Sequence, residues 1–146
     1  MRLTFIFDEK RCSGCLACVV ACRDEHDIAA HLPAYRVVRG REDGPFAPGV
    51  SYTAQACLNC ADAPCLDACP PQAIFRHEET GIVDVHRELC LGCQACAALC
   101  PCGAPTFAGD GLMAKCDSCR NRVAAGLEPA CVQTCTTGAL RFGPAS

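Results

Sequence analysis

The run Cys90-Leu91-Gly92-Cys93-Gln94-Ala95-Cys96-Ala97-Ala98-Leu99-Cys100-Pro101 constrains this chain more than any other stretch. Its spacing is C-x2-C-x2-C-x3-C-P, in which three thiolates hold one [4Fe–4S] cube and the fourth, before the proline, reaches a neighbouring cube. Such a run implies a second cube, because its own last ligand serves elsewhere. Three further groups of four are present: Cys12, Cys15, Cys18 and Cys22, with the same spacing; Cys57, Cys60, Cys65 and Cys69, with an x4 in the middle; and Cys116, Cys119, Cys131 and Cys135, with an x11 in the middle.

Those groups take up 16 of 17 cysteines in a chain of 146 residues. Cysteine at this density in one domain's length means that a covalent or metal scaffold supplies what a hydrophobic core normally would. There is no Trp, and Phe and Tyr number only six and two. A disulfide framework is disfavoured. The opening Met1-Arg2-Leu3-Thr4-Phe5-Ile6-Phe7-Asp8 has no long apolar region and no small-residue cleavage site. Without export, thiols stay reduced and metal ligation is the better reading, which makes the expected location cytoplasmic. Zinc is disfavoured too, because three cysteines within seven residues crowd a site that takes ligands as two separated pairs.

Formal net charge is −3 at pH 7. Four thiolate-ligated clusters would bring it to about −11, which excludes nucleic acid as a partner. No apolar run approaches the roughly 20 residues that span a bilayer, so no direct membrane insertion is expected.

Along the chain, Leu3 to Phe7 reads as a strand and Ala17 to Glu25 as a short helix carrying Cys18 and Cys22. Gly14, inside the first loop, permits positive φ and close approach of backbone N–H groups to sulfur. Residues 35–56 are cysteine-free and read as two strands, around Tyr35, Val37 and Val38 and around Val50, Tyr52 and Ala54. They flank a loose surface loop of glycine and proline from Gly40 to Gly49. Ala73 to Phe75 and Ile82 to Val85 read as a hairpin, Ala108 to Gly111 as a turn, Arg120 to Gly126 as a helix ended by glycine, and Ala139 to Phe142 as a closing strand.

Groups two and three share the hairpin, so residues 57–108 read as a two-cluster ferredoxin-like unit. Groups one and four, from 1–34 and 112–146, must meet in space to form a second. The expected fold is α+β: a duplicated bacterial ferredoxin-like fold within one domain of residues 1–146. Its two two-cluster modules sit one inserted in the other, with short hairpins and short helices around four [4Fe–4S] cubes.

The four ordered motifs resemble those of the iron–sulfur electron-transfer subunits of molybdenum and tungsten oxidoreductases, the dimethyl sulfoxide reductase iron–sulfur subunit family. The stretches that carry the resemblance are Cys12 to Cys22, Cys57 to Pro70, Cys90 to Pro105 and Lys115 to Leu140, nearly the whole chain. The resemblance implies four [4Fe–4S] clusters with ligands exchanged between paired motifs. One would take Cys12, Cys15, Cys18 and Cys135. A second would take Cys22, Cys116, Cys119 and Cys131. A third would take Cys57, Cys60, Cys65 and Cys100, and a fourth Cys69, Cys90, Cys93 and Cys96.

Two departures from the family pattern stand out. Thr136 follows Cys135 where a proline is usual, which loosens that helix end but leaves the ligand. Cys102 stands where many relatives have an aromatic residue. It is read as a buried free thiol, since free cysteine behaves as a small hydrophobe, with a ligand or redox-sensing role as the alternative.

Fully thiolate-ligated cubes have no open site for substrate and pass single electrons, so the chain is read as a non-catalytic electron-transfer subunit. Of His26, His31, His77 and His86, none belongs to a catalytic grouping; each reads as a surface or hydrogen-bonding residue. Lys115 and Arg120 flank cluster ligands. They are read as part of a solvated face, with local positive charge on a cluster as the alternative.

The compact length suits a form that accompanies cytoplasmic enzymes, tungsten aldehyde oxidoreductase being one. The expected partners are a catalytic molybdenum or tungsten oxidoreductase subunit and a further electron acceptor or donor, either another subunit or a ferredoxin or flavoprotein. End-to-end stacking of copies is a speculative extension. The competing readings are a free polyferredoxin, a maturation or scaffold protein that binds clusters or zinc without redox turnover, and an electron-feeding subunit of a hydrogenase or formate dehydrogenase complex.

Overall fold

The computed structural model describes residues 1–42, 49–107 and 109–146. Most of the expected surface loop, residues 43–48, and Ala108 of the expected turn lie outside the described residues. The described residues form two-stranded antiparallel sheets and short helices, a mixed α and β fold.

The first strand, β1 (Leu3–Phe7), pairs with the last, β8 (Leu140–Pro144), with Phe5 opposite Phe142. The rings of this pair lie 4.9 Å apart. The closing strand is therefore present, at Leu140–Pro144 rather than the expected Ala139 to Phe142. β1 leads through a 3-10 turn, Glu9–Arg11, into the first cysteine group and then α1 (Ala17–Glu25), the helix read from sequence. β2 (Val37–Glu42) and β3 (Val50–Gln55) pair with each other in the cysteine-free stretch.

The second group leads into α2 (Pro64–Ala68), with proline in its first turn, where a missing N–H costs nothing. β4 (Ile74–Arg76) and β5 (Val83–Val85) form the expected hairpin. A second 3-10 turn, Arg87–Leu89, precedes the third group and α3 (Ala95–Leu99). A small hairpin of β6 (Thr106–Phe107) and β7 (Met113–Ala114) comes next. It leads to the fourth group with α4 (Arg120–Ala124) and α5 (Ala130–Gln133). α4 is shorter than the sequence suggests: it caps at Ala125, and Gly126 then takes a left-handed φ of 78°. Packing joins α1 to α5 and α2 to α3.

The apolar interior is thin. Of twenty buried apolar residues among those described, six are cysteines and seven are alanines. So the side chains that would fill an ordinary core are few, and the cysteines hold its centre. One buried cluster gathers Phe5, Cys57, Cys116, Cys131, Val132 and Leu140. A second gathers Ile74, Val83, Cys96 and Met113.

Asn59 joins these parts. It is fully buried; its amide nitrogen donates to the Leu3 carbonyl (3.1 Å) and to Ser118 Oγ (2.9 Å), and its amide oxygen accepts from Val83 N (3.1 Å). β1, the β4–β5 hairpin and the fourth cysteine group thus meet at one side chain. Thr4 Oγ1 adds a bond to the Leu58 carbonyl at 2.7 Å.

Candidate metal centres

All four cysteine groups begin with C-x2-C, and in each the residue before the second cysteine is left-handed. Gly14 has φ 71°, Asn59 51°, Gly92 69° and Ser118 58°. This reversal, which continues into Cys119 (φ 51°) in group four, turns the loop so that successive thiols face one centre. Where glycine stands, close approach demands it. A Cβ on Gly14 would lie 2.4 Å from the Tyr52 ring, and one on Gly92 2.6 Å from the Gly111 carbonyl oxygen. Asn59 and Ser118 occupy matching places in groups two and four and bond to each other.

The resulting cavities mix motifs. Cys12, Cys15 and Cys18 line one of about 390 Å³ together with Cys135 from the far end of the sequence. Cys90, Cys93 and Cys96 line another of about 320 Å³ with Cys69. Cys57, Cys60 and Cys65 line a third of about 300 Å³ with Cys100, and Cys102 joins them. The remaining four, Cys22, Cys116, Cys119 and Cys131, are all buried. Cys22 and Cys131 lie close enough to Cys119 for their charge to act on it, and Cys116 and Cys131 share the larger core cluster. Only Cys15 and Cys93 are exposed, and they belong to different sets.

Backbone N–H groups already point at sulfur. Ala73 N donates to Cys69 Sγ (3.3 Å), Gly92 N and Met113 N to Cys90 Sγ (3.4 Å each), Ala104 N to Cys100 Sγ (3.3 Å) and Ser118 N to Cys116 Sγ (3.3 Å). At Cys135 burial raises the thiol, but the Thr137 hydroxyl and the backbone N–H groups of Thr137, Ala139 and Leu140 outweigh it and hold the pKa below its ordinary value.

At several other cysteines burial wins. It pushes the Cys18, Cys65 and Cys119 thiols up to about 11 and Cys116 up to about 12, even though Arg36 and Lys115 pull Cys116 the other way. Such thiols are protonated at neutral pH and become thiolates only by exchanging the proton for a metal. Burial, with the charge of Cys100, likewise pushes Cys102 up to about 12. Cys102 is half-buried and donates to the Ala56 carbonyl at 3.5 Å.

Two cations sit among these sulfurs. Lys115 is 6% exposed, which corrects its reading as part of a solvated face. Its Nζ lies 3.4 Å from Cys57 Sγ and donates to the Cys116 carbonyl (2.8 Å) and to the Val83 carbonyl. Arg36, which the sequence did not single out, is 2% exposed. It donates to the Ala54 carbonyl (3.0 Å) and lies 3.5 Å from Cys131 Sγ, over the Phe5 ring. Its Nε is buried without a partner.

Buried cations beside sulfurs, one with an orphaned N–H, are what anionic thiolate-ligated clusters require for charge compensation. The donor set, all sulfur, with four cysteines in two of the cavities and five in the third, fits [4Fe–4S] clusters. Arg120, by contrast, is half exposed and pairs with Asp84 at 3.3 Å.

His26 was also missed as a neighbour of the sulfurs. Its Nε2 lies 3.4 Å from Cys119 Sγ and 3.7 Å from Asp117 Oδ1. The only local signal was its place four residues after Cys22, one helical turn on. His77 faces Asp84 at 3.6 Å, His86 stacks on Phe75 at 4.0 Å, and His31 is exposed.

Fold and donor set define an iron–sulfur protein of the dicluster class. A 4Fe-4S dicluster domain matches residues 49–145, and a second 4Fe-4S dicluster domain matches residues 11–74. Protein NrfC of Escherichia coli strain K12 is 41% identical over 98% of this chain and 66% of its own length. The Protein NrfC homolog of Haemophilus influenzae is 42% identical over 97% of this chain and 64% of its own. An anaerobic dimethyl sulfoxide reductase chain of Escherichia coli strain K12 is 36% identical over 96% of this chain and 72% of its own. The chain belongs to the iron–sulfur subunits of the dimethyl sulfoxide reductase family. It spans about two thirds of the length of the two NrfC proteins. Among the described residues no helix is long and apolar enough to cross a membrane.

Proposed function

We propose that this chain is the non-catalytic electron-transfer subunit of an oxidoreductase, with four [4Fe–4S] clusters held by the four cysteine sets. These are Cys12, Cys15, Cys18 and Cys135; Cys22, Cys116, Cys119 and Cys131; Cys57, Cys60, Cys65 and Cys100; and Cys69, Cys90, Cys93 and Cys96. The observation that carries this reading is the mixing of motifs: in each of three cavities three cysteines of one motif are joined by the last cysteine of another, with Cys102 as a fifth in one of them.

When bound, the clusters supply one-electron transfer and nothing else. The chain's own residues supply the rest. Loops present the thiols, backbone N–H groups stabilise sulfur charge, alanines and valines exclude water, and Arg36 and Lys115 compensate buried negative charge. Two sets, with Cys15 and Cys93, reach the surface, and so offer two places at which electrons enter or leave.

The architecture is read as two nested two-cluster modules, residues 57–108 and residues 1–34 with 112–146, joined by 35–56. The β1–β8 and β4–β5 pairings and the α1–α5 and α2–α3 packing support it. The catalytic partner is a molybdenum or tungsten oxidoreductase subunit, with aldehyde oxidoreductase among the candidates, and a second redox protein completes the path. One relative is named as one chain of a reductase, which supports the subunit role over a free carrier. A cytoplasmic location is part of the same reading.

Anaerobic native purification with metal analysis tests it. About 16 irons per chain, with molybdenum or tungsten in the same peak, is the expected result. Elution alone near 15.4 kDa would refute the subunit role, and nickel would point to a hydrogenase.

A further inference from the structure

We propose that Cys102 is a reserve iron ligand for the site of Cys57, Cys60, Cys65 and Cys100, able to take over the corner held by Cys100. This rests on the ligand sets proposed above. Five cysteines, not four, line that cavity. Cys102 Sγ lies 3.7 Å from Cys100 Sγ, so the two sulfurs approach the same part of the wall and compete for one iron rather than serving two. Cys102 also donates to the Ala56 carbonyl, at a long 3.5 Å, and lies near the Ala104 backbone N–H, which Cys100 Sγ accepts as well.

Cys102 also has room to turn. On its other side lies a cavity of about 580 Å³, lined by Tyr35, Arg39 and Gln55 among others. A side chain standing between two cavities changes rotamer without overpacking either one. Gly103 follows it with φ 63° and nothing within 4 Å of where a Cβ would be, so the backbone there is not wedged.

The exchange is balanced without a redox step. Cys102 gives up its proton and its sulfur bonds the iron; the bond from Cys100 breaks and Cys100 takes up a proton. The number of thiolates on the cluster, and its charge, stay the same. A plain core thiol needs neither the shared cavity nor the contact with Cys100.

The test compares the full chain with C102A, C100A and the double variant C100A/C102A, all purified anaerobically. The readouts are iron and sulfide content and electron paramagnetic resonance. C102A is expected to match the wild type, since Cys102 is not the resident ligand. C100A is expected to keep the wild-type iron content and show no three-iron signal. The double variant is expected to lose the fourth iron of that one cluster and show the three-iron signal at about one spin per chain.

A three-iron signal or iron loss in C100A equal to the double variant overturns the proposal, as does failure of C100A to fold, because the reserve has then not served. Iron loss in C102A also overturns it, by making Cys102 the resident ligand. If the wild type itself lacks iron for four clusters, or the double variant loses none, the ligand reading fails first and takes this proposal with it.

Discussion

Lys115 shows how far one side chain can act beyond its own contacts. Its ammonium is anchored by two carbonyls and touches Cys57 Sγ, with almost no water to screen it. Reduction adds negative charge to a cluster, and a buried cation nearby favours the reduced form. Two unit charges about 4 Å apart in an effective dielectric of about 20 interact by roughly 4 kcal/mol; with the electron spread over a cube, roughly half of that remains. Lys115→Met should therefore make the cluster at Cys57 harder to reduce by about 2 kcal/mol per electron, read from a potentiometric titration, whereas Lys115→Arg should hold the wild-type potential. An unchanged potential in Lys115→Met would remove this role.

At this scale the sequence was uneven. The cysteine motifs contain every thiol that lines the three cavities except Cys102. The sequence left the charge of Lys115 beside a cluster as the second reading, because its burial depends on a contact with the Val83 carbonyl of a distant hairpin, and it did not point to Arg36, which stands in a stretch with no motif at all.

Among the elements, the loops matter more than the helices. Each C-x2-C bends at the left-handed residue before its second cysteine, and in group one the bend is pressed against the ring of Tyr52 on β3. Gly14→Ala should cost roughly 2–4 kcal/mol, from the strained φ and the displaced ring together. It should lower iron content at the site of Cys12, Cys15, Cys18 and Cys135. Gly143→Ala, in β8 with nothing within 4 Å, should change stability by less than about 0.5 kcal/mol; thermal unfolding of the two variants beside the wild type checks both values.

The longer elements were legible beforehand: β1, α1, the two hairpins and the closing strand all follow from alternation or helical spacing. α2, α3 and α5 have four or five residues each, little more than one turn, and β6 and β7 have two. No periodicity can be read over such lengths. Their places are set by the cysteine-bearing loops beside them and by contacts with neighbouring elements, not by propensity.

For the molecule as a whole, the clusters replace much of the core. Six cysteines sit among the few buried apolar side chains, and the two ends of the chain are joined by strand pairing and by a shared cavity. Removing iron with a chelator under anaerobic conditions should therefore unfold the chain rather than leave an empty scaffold, seen as loss of circular dichroism in step with loss of iron. Retention of the native spectrum after complete iron loss would show that the protein framework suffices.

The placement of Cys135 beside Cys12, Cys15 and Cys18 also sets a timetable for biosynthesis. At about 5–20 residues per second, the first three sulfurs wait roughly 6–25 s on the ribosome before the fourth is made. The cavities drawn from residues 57–100 can be completed sooner, while the chain is still growing. Translation therefore orders assembly from the middle of the sequence outward, and the first motif made is among the last to be sealed. Until then its thiols are open to any iron carrier or oxidant that reaches the nascent chain.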